Sequence, residues 1–126
     1  MGTRRVLVAE DDGAMRDLIA NALRADGYDV TTVGSLEHVS TVFDADGGPE
    51  ALALIVTDNR MPGCTGLELL TALRAARWKT PVILITAFGS DRTHQRAADL
   101  GATAVLDKPF PLERLRALVR NTIDPW

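Results

Sequence analysis

Glu10, Asp11 and Asp12 stand in an unbroken row, and Asp58 is the only acid between Glu50 and Glu68. Thr86 ends one later apolar run, and Lys108 follows another, just past Asp107. Carboxylates crowded into one crevice repel each other and raise one another's pKa unless a cation sits among them. Hard oxygen ligands suit Mg²⁺, with Mn²⁺ as a substitute, because such an ion keeps several waters and also takes a phosphate oxygen. Asp58 could then act as a nucleophile that forms an acyl phosphate. Lys108 could pair with one phosphoryl oxygen, and the Thr86 hydroxyl could donate to another.

That chemistry requires residues far apart in sequence to meet, so the elements between them decide the matter. Short apolar runs rich in branched residues read as buried strands over Val6–Ala9, Val30–Val33, Leu52–Thr57, Val82–Thr86 and Ala104–Leu106. Helical spacing fills the gaps. Met15, Leu18, Ile19, Ala22 and Leu23 share one helical face; Leu36, Val39 and Phe43 mark a second helix. Leu69, Leu70 and Leu73 mark a third, and Leu112, Leu115, Leu118 and Val119 the last. Asp91–Leu100 carries few apolar residues and is the weakest helix, easily shifted. Gly27 and Gly101 suit left-handed helix ends, Ser35 and Ser90 suit N-caps, and Pro111 suits the first turn of the last helix. The stretch Asp44–Glu50 reads as a loop.

Strands alternating with helices imply an α/β, doubly wound, five-stranded parallel sheet covered on both faces, with flavodoxin-like order 2-1-3-4-5. In that order strands one and three flank the switch point, where open α/β sheets bind ligands. Glu10 to Asp12 follow the first strand and Asp58 follows the third, so the acids fall where the topology expects chemistry.

A chain of 126 residues fits one domain, read here as residues 1–126 with an ordered core of about 4–122. Apolar residues make up 46% and charged residues 25%, which supports a core without disulfides. The single Cys64 points to a reducing compartment, and its exposed-loop context offers no basic neighbour to activate it. A net charge of −3 argues against direct nucleic-acid binding. No stretch reaches the about 18 apolar residues of a membrane span, and the run after Arg4 and Arg5 is too short for a signal peptide. A cytoplasmic location is expected. His38 and His94 have no Cys or His at ligand spacing.

Four segments in order and spacing make the sequence resemble the receiver domain of bacterial two-component response regulators. They are Val6-Leu7-Val8-Ala9-Glu10-Asp11-Asp12, Val56-Thr57-Asp58-Asn59-Arg60-Met61-Pro62-Gly63, Ile85-Thr86-Ala87 and Lys108-Pro109-Phe110. The resemblance implies that Asp58 is the phosphorylated aspartate, Asp11 a direct metal ligand, and Glu10 an acid reaching the metal through water. It implies that the backbone carbonyl of Arg60 is a further metal ligand, Thr86 the switch hydroxyl, Ala87 the small residue beside the phosphoryl group and Lys108 the site lysine. A cis bond before Pro109 is common in the family.

Partners implied in the same way are a sensor histidine kinase or phosphotransfer protein, docking on the first helix and the loops beside the site. Output would run through the face made by the fourth helix, fifth strand and fifth helix, toward an output domain or a second copy. Arg92, Arg96, Arg114, Arg116 and Arg120 make that region basic. Self-phosphorylation and slow self-dephosphorylation would be the only reactions, so the chain is not a turnover enzyme.

Two positions depart from the family. Val105 stands where an aromatic residue usually swings with the threonine; a valine is short and stiff at χ1, so switching must run through backbone and helix movement around Ala87–Asp91 or be weak. Arg60 and Phe88 lie two residues past Asp58 and Thr86, where they could shield the acyl phosphate from water.

Each residue also has an ordinary reading alone: Asp12 as a helix cap, Thr86 as a strand residue, Lys108 as a surface charge, Met61-Pro62-Gly63 and Gly66 as loop formers. Only the set points to phosphoryl chemistry. An aspartyl phosphatase would need a general acid two residues after its nucleophile, and Arg60 cannot serve near neutral pH. A degenerate receiver that binds a partner without phosphorylation is the other alternative, and Val105 is the feature that favours it.

Overall fold

The computed structural model describes residues 4–37, 39–44, 48, 51–87 and 91–124. Expectations for His38, Phe88, Ser90 and most of the 45–50 loop lie outside the described residues. Five strands, β1 (Arg5–Ala9), β2 (Asp29–Val33), β3 (Leu54–Asp58), β4 (Val82–Thr86) and β5 (Ala104–Asp107), form one parallel sheet in the order β2-β1-β3-β4-β5. They alternate with α1 (Gly13–Ala25), α2 (Val39–Asp44), α3 (Gly66–Ala75), α4 (Asp91–Asp99) and α5 (Leu112–Ile123). The expected fold class and strand order are those observed.

Side-chain alternation along β1 divides the core. Val6 and Val8 point to one face, where Ile19, Ala20 and Leu23 of α1 and Leu115, Val119 and Ile123 of α5 cover them. Leu7 and Ala9 point to the other, under Phe43 of α2 and Leu69, Leu70 and Leu73 of α3. Both faces of the sheet are therefore buried, which is why its strands read as continuous apolar runs.

Local chemistry sets the element ends. The Asp12 carboxylate accepts from the Ala14 and Met15 amides at 3.0 and 3.2 Å and so caps α1, as its ordinary reading predicted. Thr65 and Glu68 form a capping box at α3. Gly27 and Gly101 take φ of +99° and +76°, the left-handed region in which a Cβ is costly. Pro111 is the N-cap of α5, one residue ahead of the first turn where it was expected.

Other boundaries differ from expectation. Strand β3 starts two residues later than the apolar run suggested and ends one residue later, because Asp58 pairs with Ile85 in the β4 register. Leu52 remains buried ahead of the strand. Leu36 is buried in a turn ahead of the described part of α2, where the Ser35 hydroxyl accepts from the Glu37 amide and donates to the Pro62 carbonyl. Leu18 is 52% exposed, since α1 turns Ile19, Ala20 and Leu23 inward instead. Asp44 ends α2 and does not belong to the loop.

Candidate functional site

The parallel order brings every strand's C-terminal end to one edge, and the turns there line an open cleft of about 400 Å³. Glu10, Asp11, Asp12, Asp58, Arg60, Ala87 and Lys108 form its walls. Glu10 leaves β1, Asp58 is the last residue of β3, Ala87 follows β4 and Lys108 follows β5. Thr86 ends β4 beside them and is 5% exposed, with its carbonyl accepting from the Lys108 amide at 2.8 Å.

Glu10 and Asp58 are almost fully buried, at 1% and 4% exposure. Lys108 Nζ donates to Asp58 Oδ2 at 2.6 Å and to Glu10 Oε2 at 3.2 Å. The other Asp58 oxygen, Oδ1, accepts from the Arg60 amide at 3.0 Å, and Glu10 Oε1 accepts from the Asp12 amide at 3.2 Å. Two polypeptide amides and one ammonium thus fix both carboxylates in place.

Burial pushes the Glu10 carboxyl up to about 7; the Asp12 amide works against this, and the Asp58 charge adds to it. Burial alone would lower the Lys108 ammonium, yet its hydrogen bond and charge contact with Asp58, joined by Glu10, carry it above its ordinary value. A negative site that a single lysine only partly neutralises is a place for a further cation. Oxygens of Glu10, Asp11 and Asp58 lie within 4.8 Å of one another. Three hard oxygen donors at that spacing fit Mg²⁺ or Mn²⁺ better than a softer metal.

The loop after Asp58 is packed against this site. Asn59 donates its amide to the Ile85 carbonyl at 2.7 Å, and its side-chain oxygen accepts from the Leu67 amide at 3.0 Å. Gly66 opens α3 so closely against β3 and β4 that a Cβ would lie 2.6 Å from Leu84 Cδ1 and 3.0 Å from the Asp58 carbonyl. The Lys108–Pro109 bond is cis.

The other singled-out residues fall elsewhere. Cys64 is half-buried, not exposed; its thiol donates to the Thr65 carbonyl, and burial pushes its pKa up, away from nucleophilic use. His94 lies on α4 with Nε2 2.9 Å from Asp107 Oδ1, so it links α4 to β5. Arg116 faces α1, with Nε on Asp26 Oδ2 at 2.8 Å and a second nitrogen on Glu113, and so leaves the basic set assigned to the output face. Val105 is half-buried in β5 opposite Leu84.

Sequence reasoning missed Arg16. From α1 its Nη1 donates to the Glu10 carbonyl at 3.0 Å. The available signal was its place four residues past the Asp12 cap, one helical turn above the acidic loop. It also missed Arg74, whose guanidinium donates to the carbonyls of Trp78, Thr80, Leu100 and Gly101 and ties the end of α3 to the end of α4.

Comparison with known proteins agrees with this architecture. The family model described as the response regulator receiver domain matches residues 6–120. The transcriptional regulatory protein TcrA of Mycobacterium tuberculosis is 40% identical over 121 residues, which cover 93% of this chain and 46% of that protein. The transcriptional regulatory protein FixJ of Bradyrhizobium diazoefficiens is 34% identical over 118 residues, covering 94% of this chain and 56% of its own. The chain therefore spans about half the length of these curated relatives. Among solved structures, a response regulator receiver domain from Francisella superposes with a TM-score of 0.86 at 27% identity, covering 98% of each chain. The chemotaxis response regulator CheY4 of Vibrio cholerae gives 0.80 at 27% identity, covering 96% of this chain and 99% of its own.

Proposed function

Because this chain belongs to the family of response regulator receiver domains, we propose that it accepts a phosphoryl group on Asp58 from a sensor histidine kinase or phosphotransfer protein. The observation that carries this reading is the pairing of a buried, fixed Asp58 with the Lys108 ammonium beside a cluster of oxygens suited to a divalent cation. One Asp58 oxygen attacks phosphorus while the bond from phosphorus to the donor's imidazole nitrogen breaks, and the imidazole leaves with the electron pair. Lys108 passes from the Asp58 carboxylate to a phosphoryl oxygen, and Thr86 donates its hydroxyl to another.

Glu10, Asp11, Asp58 and the Arg60 carbonyl would hold Mg²⁺ or Mn²⁺. Such an ion, when bound, neutralises charge on the transferring group. Ala87, small and at the cleft wall, leaves the phosphoryl group room. The chain acts as a single receiver unit that is phosphorylated on Asp58, and water slowly hydrolyses the acyl phosphate to the carboxylate and inorganic phosphate, with no other turnover.

The kinase or phosphotransfer protein docks on α1, where the exposed Leu18 supplies an apolar contact. Output passes through α4, β5 and α5 to an output domain or a second copy, with Arg92, Arg96 and Arg114 as the basic residues of that face, while Arg120, one turn past Arg116, lies near Asp26 with it. The names of TcrA and FixJ as transcriptional regulators make an output acting on transcription the fitting one. No helix among the described residues is long and apolar enough to cross a membrane; the cytoplasmic setting proposed here follows from the family.

Val105 favours one second reading, a receiver that binds its partner without phosphorylation. Intact mass after incubation with Mg²⁺ and a small acyl-phosphate donor separates the two. The phosphoacceptor reading requires a gain of one phosphoryl group that is lost with chelator and in Asp58→Ala; an unchanged mass in the wild-type chain supports the second reading.

A further inference from the structure

Gly34, the residue after β2, has no backbone reason to be glycine. It is not among the glycines with positive φ. A Cβ built there meets a single side chain, Arg16, at 2.8 Å from Nη1 and 3.7 Å from Cζ. The same Nη1 donates to the Glu10 carbonyl at 3.0 Å, and Nη2 lies 3.5 Å from the corresponding Cβ position at Gly13. The guanidinium of Arg16 thus occupies a slot whose floor is the β1–α1 turn and whose wall is the bare backbone of Gly34.

The carbonyl that Arg16 holds belongs to the peptide joining Glu10 to Asp11. Its other neighbours are already fixed: the Glu10 amide donates to the Val33 carbonyl at 3.1 Å, and the Asp12 amide donates back to Glu10 Oε1. With the Arg16 bond in place, rotating the peptide between the two acids would break a hydrogen bond, which restrains the backbone from which Asp11 presents its carboxylate. We infer that Arg16 is a positioning residue for the cation end of the cleft, and that Gly34 is glycine to leave room for its guanidinium. This rests on the proposed use of Glu10 and Asp11 toward a divalent ion.

Charge and position pull in opposite directions here, which makes the inference testable. Removing a cation from beside three acids would by Coulomb attraction tighten metal binding. Losing the clamp weakens it, by about tenfold if it acts as outer-shell partners of metal ligands commonly do. Gly34→Ala displaces only the end of a flexible side chain and changes no charge.

The experiment is Mn²⁺ binding to the full chain, read from the paramagnetic resonance signal of free Mn²⁺, with Mg²⁺ competition. Wild type, Arg16→Ala, Gly34→Ala, the double variant and Asp11→Asn are compared. Arg16→Ala and Gly34→Ala are each expected to weaken binding about tenfold. The double variant should be no weaker than Arg16→Ala alone, and thermal midpoints should stay within about 3 °C. Binding by Arg16→Ala that equals or exceeds wild type, an unaffected Gly34→Ala, or additive losses in the double variant overturns the inference. A wild-type chain that binds no Mn²⁺, or binds it equally after Asp11→Asn, overturns the metal reading itself and the inference with it.

Discussion

Lys108 and Asp58 stand 50 positions apart in sequence and meet Nζ to Oδ2 at 2.6 Å, with Glu10 Oε2 on the same ammonium at 3.2 Å. One lysine therefore holds two buried carboxylates together, and it occupies the charge niche that a metal ion would share. Lys108→Met should destabilise the metal-free chain by about 2 kcal/mol, because breaking a largely buried pair leaves uncompensated charge. The same change should tighten Mg²⁺ binding, since a competing cation is gone. Urea unfolding with and without Mg²⁺ checks both: the stability gap between variant and wild type should narrow as Mg²⁺ is added.

Glu10 gives the metal-free chain an unusual pH dependence. Its carboxyl titrates at about 7 in the folded chain against 4.5 as an ordinary glutamate, so the unfolded chain gives up this proton first. Between those values the folded state holds more protons, and stability falls as pH rises; above about 7 both states are ionised and the decline stops. The loss should be on the order of 3 kcal/mol. In Glu10→Gln that decline should vanish, leaving a chain more stable than wild type at pH about 8 in chelator. Equal slopes for the two proteins across the window would contradict the assignment.

Gly66 is the tightest backbone approach beneath the site. A methyl group there meets Leu84 Cδ1 at 2.6 Å and the Asp58 carbonyl at 3.0 Å, and backbone cannot yield as a side-chain tip can. Gly66→Ala should cost about 2 kcal/mol by overpacking. Because the push falls on the residue carrying the acceptor carboxylate, phosphorylation by a small donor should slow as well. Chemical denaturation and initial rates test the two parts separately.

Helix α4 is held differently at its two ends. Ala97 is its one buried residue, Arg74 secures its C-terminal end through the Leu100 and Gly101 carbonyls, and the His94–Asp107 pair ties it to β5. That pair is 40% and 55% exposed, so its loss should change global stability by less than about 1 kcal/mol. His94→Ala should nevertheless speed amide exchange across residues 91–99 several-fold, with the rest of the sheet unaffected. Uniform acceleration throughout the chain would mean that the pair supports the whole fold instead.

Much of this was legible in the sequence because the sheet is buried on both faces, which writes strands as apolar runs and leaves polar residues only at their ends. Glu10, Asp11, Asp58, Ala87 and Lys108 met in one cleft as their positions predicted. Boundaries were less legible where burial and strand pairing part company: Leu52 is buried outside β3, and Asp58 is paired inside it. Helical spacing placed Leu18 on the apolar face, yet the contact with α5 chose a face centred on Ile19 and Leu23. Long basic side chains were the least readable. Arg16, Arg74 and Arg116 each reach carbonyls or carboxylates of other elements, and nothing in local spacing says which way a flexible side chain will turn.

The most direct test of the account locates the acyl phosphate chemically. The chain is phosphorylated with a small donor and Mg²⁺, reduced with borohydride, digested and sequenced by mass spectrometry. An acyl phosphate on Asp58 would appear as homoserine at that position in the peptide containing Asn59 and Arg60, and only in samples that received Mg²⁺. Homoserine at Asp11, Asp12 or another acid, or none at all despite an intact fold, would contradict it.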